Sequence, residues 1–469
     1  MPAAVSTGSP ASPSAPPALD RRLGPLDGAA IVVSNVIGGG IFLVPAFVAQ
    51  SVPHPWAMLG VWVAGGALAF AGAMAYAELA ALRPRAGGEY VYLREAFGPL
   101  AAFLTGWTSF VAGFAGAIAA SAVGLASYLG RFLPAAADTR PLVALPLGLI
   151  TLRVSPQAIV ALTAIAALTA VHVVGVGPGR VVQNILAGLK VAVLVTFVAI
   201  GFTLGQGSGA NFAAGGGSVA GSSWLQALLP VMFAYSGWNA AAYLAEEIRD
   251  PGRNVPLALG LGTVVVVAIY VLLNLLYVYA MPVVELATVG GNVADAAAER
   301  LFGAVVAAPI AAASVVMIAA SISAMVFAGP RVYFAMAQDG QFFSAAATVH
   351  PRFRTPVTAI VAQSVWASLL VLTGTFQQLV DYTAFAVVLF AGVAVVALFV
   401  LRYRHPTAHR PFKAWGYPVA PLIFIVASAA MVANAIWRNP APSAAGLVVI
   451  AAGVPIYLWM RRSRRGASS

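Results

Sequence analysis

Three places in this 469-residue chain carry polar or backbone chemistry inside apolar surroundings. The first is Ser34-Asn35-Val36-Ile37-Gly38-Gly39-Gly40-Ile41-Phe42, with three successive glycines. The second is Phe233-Ala234-Tyr235-Ser236-Gly237-Trp238-Asn239, again a polar and glycine break. The third is Lys190, alone in an apolar run. A glycine disfavours a helix interior by about 1 kcal/mol relative to Ala, so both segments are places for a helix to unwind. An unwound backbone presents free N–H and C=O groups. Helix N-termini attract carboxylates, and unpaired carbonyls attract ammonium groups. The pair of breaks therefore suits a zwitterion. Other chemistries find little support. There are no cysteines, which excludes disulfides and thiolate metal sites. His405 and His409 stand four apart, as a metal on a helix would need, but the basic, proline-containing stretch 402–413 reads as a solvated loop. No metal and no cofactor are expected. HExxH and GxSxG signatures are absent, so no enzyme is expected.

The elements that hold these residues are membrane helices. Hydrophobic residues make up 61% of the chain, charged ones 8%, and the mean hydropathy is +0.91. A soluble domain carries roughly a quarter charged residues. Apolar runs long enough to span a bilayer sit near 27–49, 56–81, 99–130, 155–175, 182–205 and 222–246. Six more lie near 255–281, 302–336, 356–376, 379–401, 417–437 and 443–460. The expected fold is all-α and integral to the membrane, with twelve crossings. The net charge of +11 sits in the gaps between runs, which argues against a nucleic-acid partner. With the N-terminus inside, only Arg131, Arg140, Arg153, Arg300 and Arg438 fall outside. Arg354, Arg180, Arg464 and Arg465 join the inside majority. Both termini are then cytoplasmic. Residues 1–23 read as a disordered tail and 461–469 as a basic one.

One glycine cluster alone would read as close helix packing. Two breaks in the first and sixth runs point instead to a five-plus-five inverted repeat with a midplane site. Non-helical backbone at that depth must line a cavity or meet a ligand. The repeats would span 24–205 and 222–401, followed by a loop at 402–416 and two helices over 417–460. Lys190 lies roughly 13 Å into its helix at about 1.5 Å per residue. An intramembrane cation is by default functional, the alternative being a side chain that snorkels to the surface. Asn35 and Asn274 read as interhelical hydrogen-bond donors. Glu78, Glu246 and Glu247 read as partners of basic residues, with a proton-linked role for Glu78 as the alternative. Asp381 and Tyr382 are expected in an outer vestibule.

Several motifs resemble the amino acid–polyamine–organocation superfamily, and within it the stand-alone bacterial type of L-type amino acid transporter. They are Gly38-Gly39-Gly40-Ile41-Phe42, Gly87-Gly88-Glu89-Tyr90 with Glu95-Ala96-Phe97-Gly98, and Arg410-Pro411-Phe412-Lys413. The closest is Phe233 to Asn239 with Tyr243, Glu246-Glu247, Asp250-Pro251 and Arg253-Asn254-Val255-Pro256. The resemblance implies a LeuT-like fold with discontinuous first and sixth helices. It implies that the substrate carboxylate meets the N–H groups of Gly39 and Gly40. The ammonium would meet the carbonyls of Val36, Phe233 and Ser236. Ile37, Gly38, Ala234 and Gly237 complete the two unwound segments, Phe233 acts as a lid, and Asn239 adds a side-chain contact. Relatives often have Ser where this chain has Gly39, which leaves carboxylate binding to backbone alone. Lys190 stands where sodium-coupled relatives bind sodium, with Ser321 or Ser323 as its partners. Sodium-independent exchange or facilitated transport of neutral L-amino acids follows, because the broken segments offer no side-chain charge. Proton-coupled symport with Lys190 titrating is the alternative. A non-transporting sensor is the remote one, disfavoured by short tails. Some animal relatives are tied by a disulfide to a partner subunit. This chain has no cysteine for that link and is expected to act as a monomer in the cytoplasmic membrane.

Overall fold

The computed structural model describes residues 21–467 apart from 147–150, 175–178, 215–218, 291, 354 and 375. Residues 1–20 of the expected tail 1–23 and Arg354 lie outside the described residues, as do the side chains of Arg180, Tyr382, Arg464 and Arg465. The chain begins with α1 (Pro25–Val36) and α2 (Gly39–Ser51), bent by 45° at Ile37 and Gly38. α3 (Pro55–Leu82) follows, then the short α4 (Glu89–Phe97). A long crossing is built from α5 (Pro99–Thr108), a π-helical turn (Ser109–Gly113) and α6 (Phe114–Leu129). A hairpin of β1 (Val143–Pro146) and β2 (Thr151–Val154) sets Val143 opposite Val154 and leads to α7 (Pro156–Val174) and α8 (Gly179–Leu204). The sixth run is α9 (Gly221–Tyr235), an unwound stretch at 236–239, and α10 (Ala240–Tyr243).

The second half contains α11 (Pro251–Ala280), the loop helices α12 (Val283–Leu286) and α13 (Val293–Phe302), and α14 (Ala304–Ala328) continued by α15 (Pro330–Gln338). It closes with α16 (Val357–Thr373), α17 (Phe376–Arg404), α18 (Val419–Arg438) and α19 (Pro440–Ala467). The stretch 461–467, expected as tail, continues this last helix. Proline begins α1, α3, α5, α7, α11, α15 and α19. It suits that first position because the N–H it lacks would have no partner there.

Nine helices among the described residues are long and apolar enough to cross a membrane, and the bent α1–α2 pair makes a tenth crossing. The twelve expected from the sequence are not all reached by that measure. α9 stops after 15 residues at its break, and α16 has 17 residues. α1 packs on α11, α2 on α9, and α6 on α14.

The two ends of the bundle differ in chemistry. At the basic end, buried Glu78 accepts from Arg402 Nε (2.8 Å), Arg402 Nη2 (2.5 Å) and the Ala414 N–H (2.7 Å), which fixes the loop after α17. Arg410 Nε lies 3.3 Å from the same carboxylate. At the hairpin end, Arg131 pairs with Asp295 on α13 at 2.9 Å. Burial raises the Asp295 carboxyl pKa, and the Arg131 contact opposes that shift.

Candidate functional site

A helix leaves its last carbonyls without intrahelical partners. At the end of α1, side chains from three other helices capture them. Lys190 Nζ of α8 donates to Ser34 O (3.0 Å) and Ile37 O (2.8 Å). Ser321 Oγ of α14 donates to Asn35 O (3.1 Å), and Tyr270 OH of α11 to Val36 O (2.8 Å). Lys190 is 2% exposed, so its ammonium is met by carbonyl dipoles rather than by water. Ser321 thus shares the carbonyl cluster with Lys190. Ser323 points elsewhere, its Oγ 2.7 Å from His172 Nε2 on α7.

The second break meets the first through backbone. A Cβ on Gly40 would stand 2.6 Å from Ala234 Cα, so only glycine allows α2 to lie this close to α9. Tyr270 OH also reaches Ala234 O (3.2 Å), joining both broken helices through one hydroxyl. Gly237 has φ +99°, a conformation open to glycine, and turns the chain out of α9. The Phe233 carbonyl accepts the Ser236 N–H at 2.9 Å. Phe233 itself is buried.

A cavity of about 80 Å³ lies beside the breaks. Of the residues singled out in the sequence as site or motif positions, Asn35, Ser236, Gly237, Asn239 and Tyr243 line it, with Glu89 of the loop motif. Val36, Ile37, Gly38, Gly39, Gly40, Phe233 and Ala234 are buried and are not among its lining residues. Thr105, Thr108 and Ser109 on the third crossing also line it, and the sequence reading missed them. Their spacing of three and four places them on one helical face, which is the signal that was available. Asn35 Nδ2, Thr105 Oγ1 and Thr108 Oγ1 are buried without a hydrogen-bond partner among the described residues. Buried polar atoms nearly always find partners, so these three mark where a polar ligand would be held.

Glu89, the first residue of α4, is a further lining residue that was overlooked as a site. Its Oε1 accepts from Tyr76 OH (2.9 Å) and Asn239 Nδ2 (2.7 Å). Asn239 Nδ2 also donates to Tyr243 OH (3.0 Å). Burial pushes the Glu89 carboxyl above the usual carboxylate range, against the hydrogen bonds from Tyr243, Tyr76 and Asn239.

At the basic end, the segment before α1 is tied to the stretch after α10. Leu23 N–H donates to Glu247 O (3.0 Å) and Arg249 N–H to Leu23 O (2.9 Å), while Glu247 pairs with Arg331 at 3.2 Å. Asp339 is held by Arg94, by Arg85 (3.5 Å) and by Tyr90 OH (3.1 Å). Toward the other end lies a second cavity of about 270 Å³, lined by Phe47, Gln226, Gln377, Asp381 and Asn434 among others.

Residues 23–460 match the amino acid permease family. The serine/threonine exchanger SteT of Bacillus subtilis (strain 168) is 28% identical over 448 residues, 95% of this chain and 98% of that one. The b(0,+)-type amino acid transporter 1 of Homo sapiens is 30% identical over 401 residues, 84% of this chain and 79% of the relative. The large neutral amino acids transporter small subunit 2 of Homo sapiens is 29% identical over 456 residues, 94% of this chain and 80% of the relative. A match that takes in every crossing and both breaks makes the chain a member of the amino acid permease family, within the amino acid–polyamine–organocation superfamily, and a multi-pass membrane transporter of amino acids.

Proposed function

We propose that this permease is a sodium-independent exchanger or facilitative transporter of neutral L-amino acids that works by alternating access. The observation that carries this reading is the meeting of two broken helices at Gly40 and Ala234, next to a cavity whose polar atoms include some without a partner among the described residues. The substrate carboxylate binds the N–H groups of Gly39 and Gly40 at the start of α2, where the helix dipole favours a negative charge. The ammonium binds the carbonyls of Val36, Phe233 and Ser236. A carbonyl oxygen has two lone pairs, so the bonds that Val36 and Phe233 already accept leave room for a second donor. Phe233 closes over the substrate and Asn239 adds a polar contact.

The first and sixth helices move against the remaining bundle. Lys190 holds the first break with a fixed ammonium, which makes a sodium ion unnecessary there. With α1 and α2 as one crossing, the broken sixth run and α16 raise the total to twelve, arranged as repeats over 24–205 and 222–401. The basic end faces the cytoplasm, and with it both termini, in the cytoplasmic membrane. With no cysteine, the chain makes no disulfide link to a partner, and it is proposed to act as a monomer. An exchanger and a neutral amino acid transporter among the relatives support the mode and the substrate class.

The test is uptake of radiolabelled serine and leucine into proteoliposomes preloaded with unlabelled amino acids, with and without sodium and a pH gradient. Uptake that ignores both gradients is the expected result, with a need for internal amino acid marking exchange and entry to equilibrium in empty vesicles marking facilitated transport. Accumulation in empty vesicles driven by either gradient would replace exchange with symport.

A further inference from the structure

We infer that Glu89 is the charge-selecting residue of the substrate cavity, barring amino acids with an acidic side chain and pairing with a basic one. The inference rests on the transport reading above and adds a determinant that the two broken segments do not contain. Glu89 lines the same cavity as Asn35, Ser236, Gly237 and Asn239. Every group that bears on its carboxylate is neutral. These are Tyr76 from α3, Tyr92 from α4 itself, Asn239 from the sixth break and Tyr243 from α10. The rest of the cavity wall, from Thr105 and Thr108 to Met325 and Phe390, carries no charge.

The nearby cations are engaged elsewhere. Arg83 is bonded to Glu95, Arg85 and Arg94 to Asp339, and Arg331 to Glu247. Among the described residues, Glu89 therefore makes no ion pair. Glu246 accepts from the Ala86 N–H and adds no positive charge. The cavity accordingly holds one carboxyl group with no cation lining the wall beside it. A neutral amino acid brings a balanced pair of charges. An acidic side chain would add a second negative charge in a confined, poorly hydrated space, and a basic side chain would supply the missing cation. Two like charges about 7 Å apart at an effective dielectric constant of about 20 lower affinity roughly fifty-fold.

The experiment is competition against labelled serine or leucine exchange by unlabelled glutamine, glutamate and lysine, in wild type and in Glu89→Gln. Glutamine and glutamate have nearly the same shape, so their ratio isolates charge. In wild type, glutamate is expected to compete at least tenfold more weakly than glutamine, with lysine stronger than glutamate. In Glu89→Gln, glutamate and glutamine are expected to converge and lysine to lose its advantage. An unchanged ratio in a variant that still exchanges overturns the inference. Wild type competing equally with glutamate and glutamine overturns it without any variant, should Glu89→Gln fail to fold. If neither labelled amino acid is exchanged at all, it is the exchange reading that fails. Thermal shift of the purified protein by the same three amino acids then decides the inference by the same ratios.

Discussion

Tyr270→Phe removes a single oxygen from the centre of the site. The ring, fully buried against Trp62 and Tyr235, remains, so packing is preserved. Lost are the bonds to Val36 O at 2.8 Å and to Ala234 O at 3.2 Å, one on each broken helix. Leaving a buried acceptor unsatisfied costs about 1–3 kcal/mol. In the proposed mechanism the hydroxyl couples the two segments that move, so that energy is drawn from the geometry of the substrate-bound state. One to three kcal/mol corresponds to roughly a 5- to 150-fold change in an equilibrium. The expected result is a fall of that size in exchange at subsaturating amino acid, measured in proteoliposomes, with the variant still folded by gel filtration. Wild-type exchange in a folded Tyr270→Phe protein would refute the claim that this hydroxyl joins the two breaks functionally.

Four further outcomes follow from the same geometry. Lys190→Met strips the donors from Ser34 O and Ile37 O, and more than about a tenfold loss of exchange is expected, unrescued by sodium, given about 1.5–3 kcal/mol for each bond from a charged donor. Gly40→Ala drives a methyl into the Ala234 backbone and should abolish exchange, whereas Gly39→Ser, whose Cβ meets nothing nearer than Leu43 Cδ1 at 3.4 Å, should keep it. Glu78→Ala leaves Arg402 and Arg410 without their carboxylate. Since Arg402 is 22% exposed, the loss is set at about 3 kcal/mol, the low end for breaking a buried pair, and is read as a Tm several degrees lower. Glu89 has a folded pKa above its unfolded value, so its contribution to stability is complete below the unfolded pKa and is lost as pH rises through the folded one. Thermal unfolding should therefore show Glu89→Gln gaining on wild type as pH rises from acidic to neutral.

The sequence revealed what depends on local chemistry. Three glycines at 38–40 and the polar stretch at 236–239 are wrong for a continuous membrane helix, and the chain leaves the helix at Ile37 and Gly38 and again at 236–239. Lys190 stands out because a cation in an apolar run is costly wherever it points. Partners were less legible, since they depend on how helices pack. Nothing local says that Ser321 meets the break while Ser323 turns to His172. Glu89 looked like one more carboxylate in a loop rich in Arg83, Arg85 and Arg94. Only the folding of that loop into α4 turns it away from them and toward Asn239. The amphipathic helix α13 and the β1–β2 hairpin lie between apolar runs, where hydropathy gives no reading of structure.

The central claim is that the two breaks together recognise the α-carboxylate and α-ammonium of the substrate. It is tested most directly by inhibiting exchange with a transported amino acid, its methyl ester and its N-acetyl derivative, side chain unchanged. The account predicts that only the free amino acid competes, because each derivative removes one of the two charges that the unwound backbone binds. Equal competition by the ester or the N-acetyl compound would mean that the breaks do not read those groups.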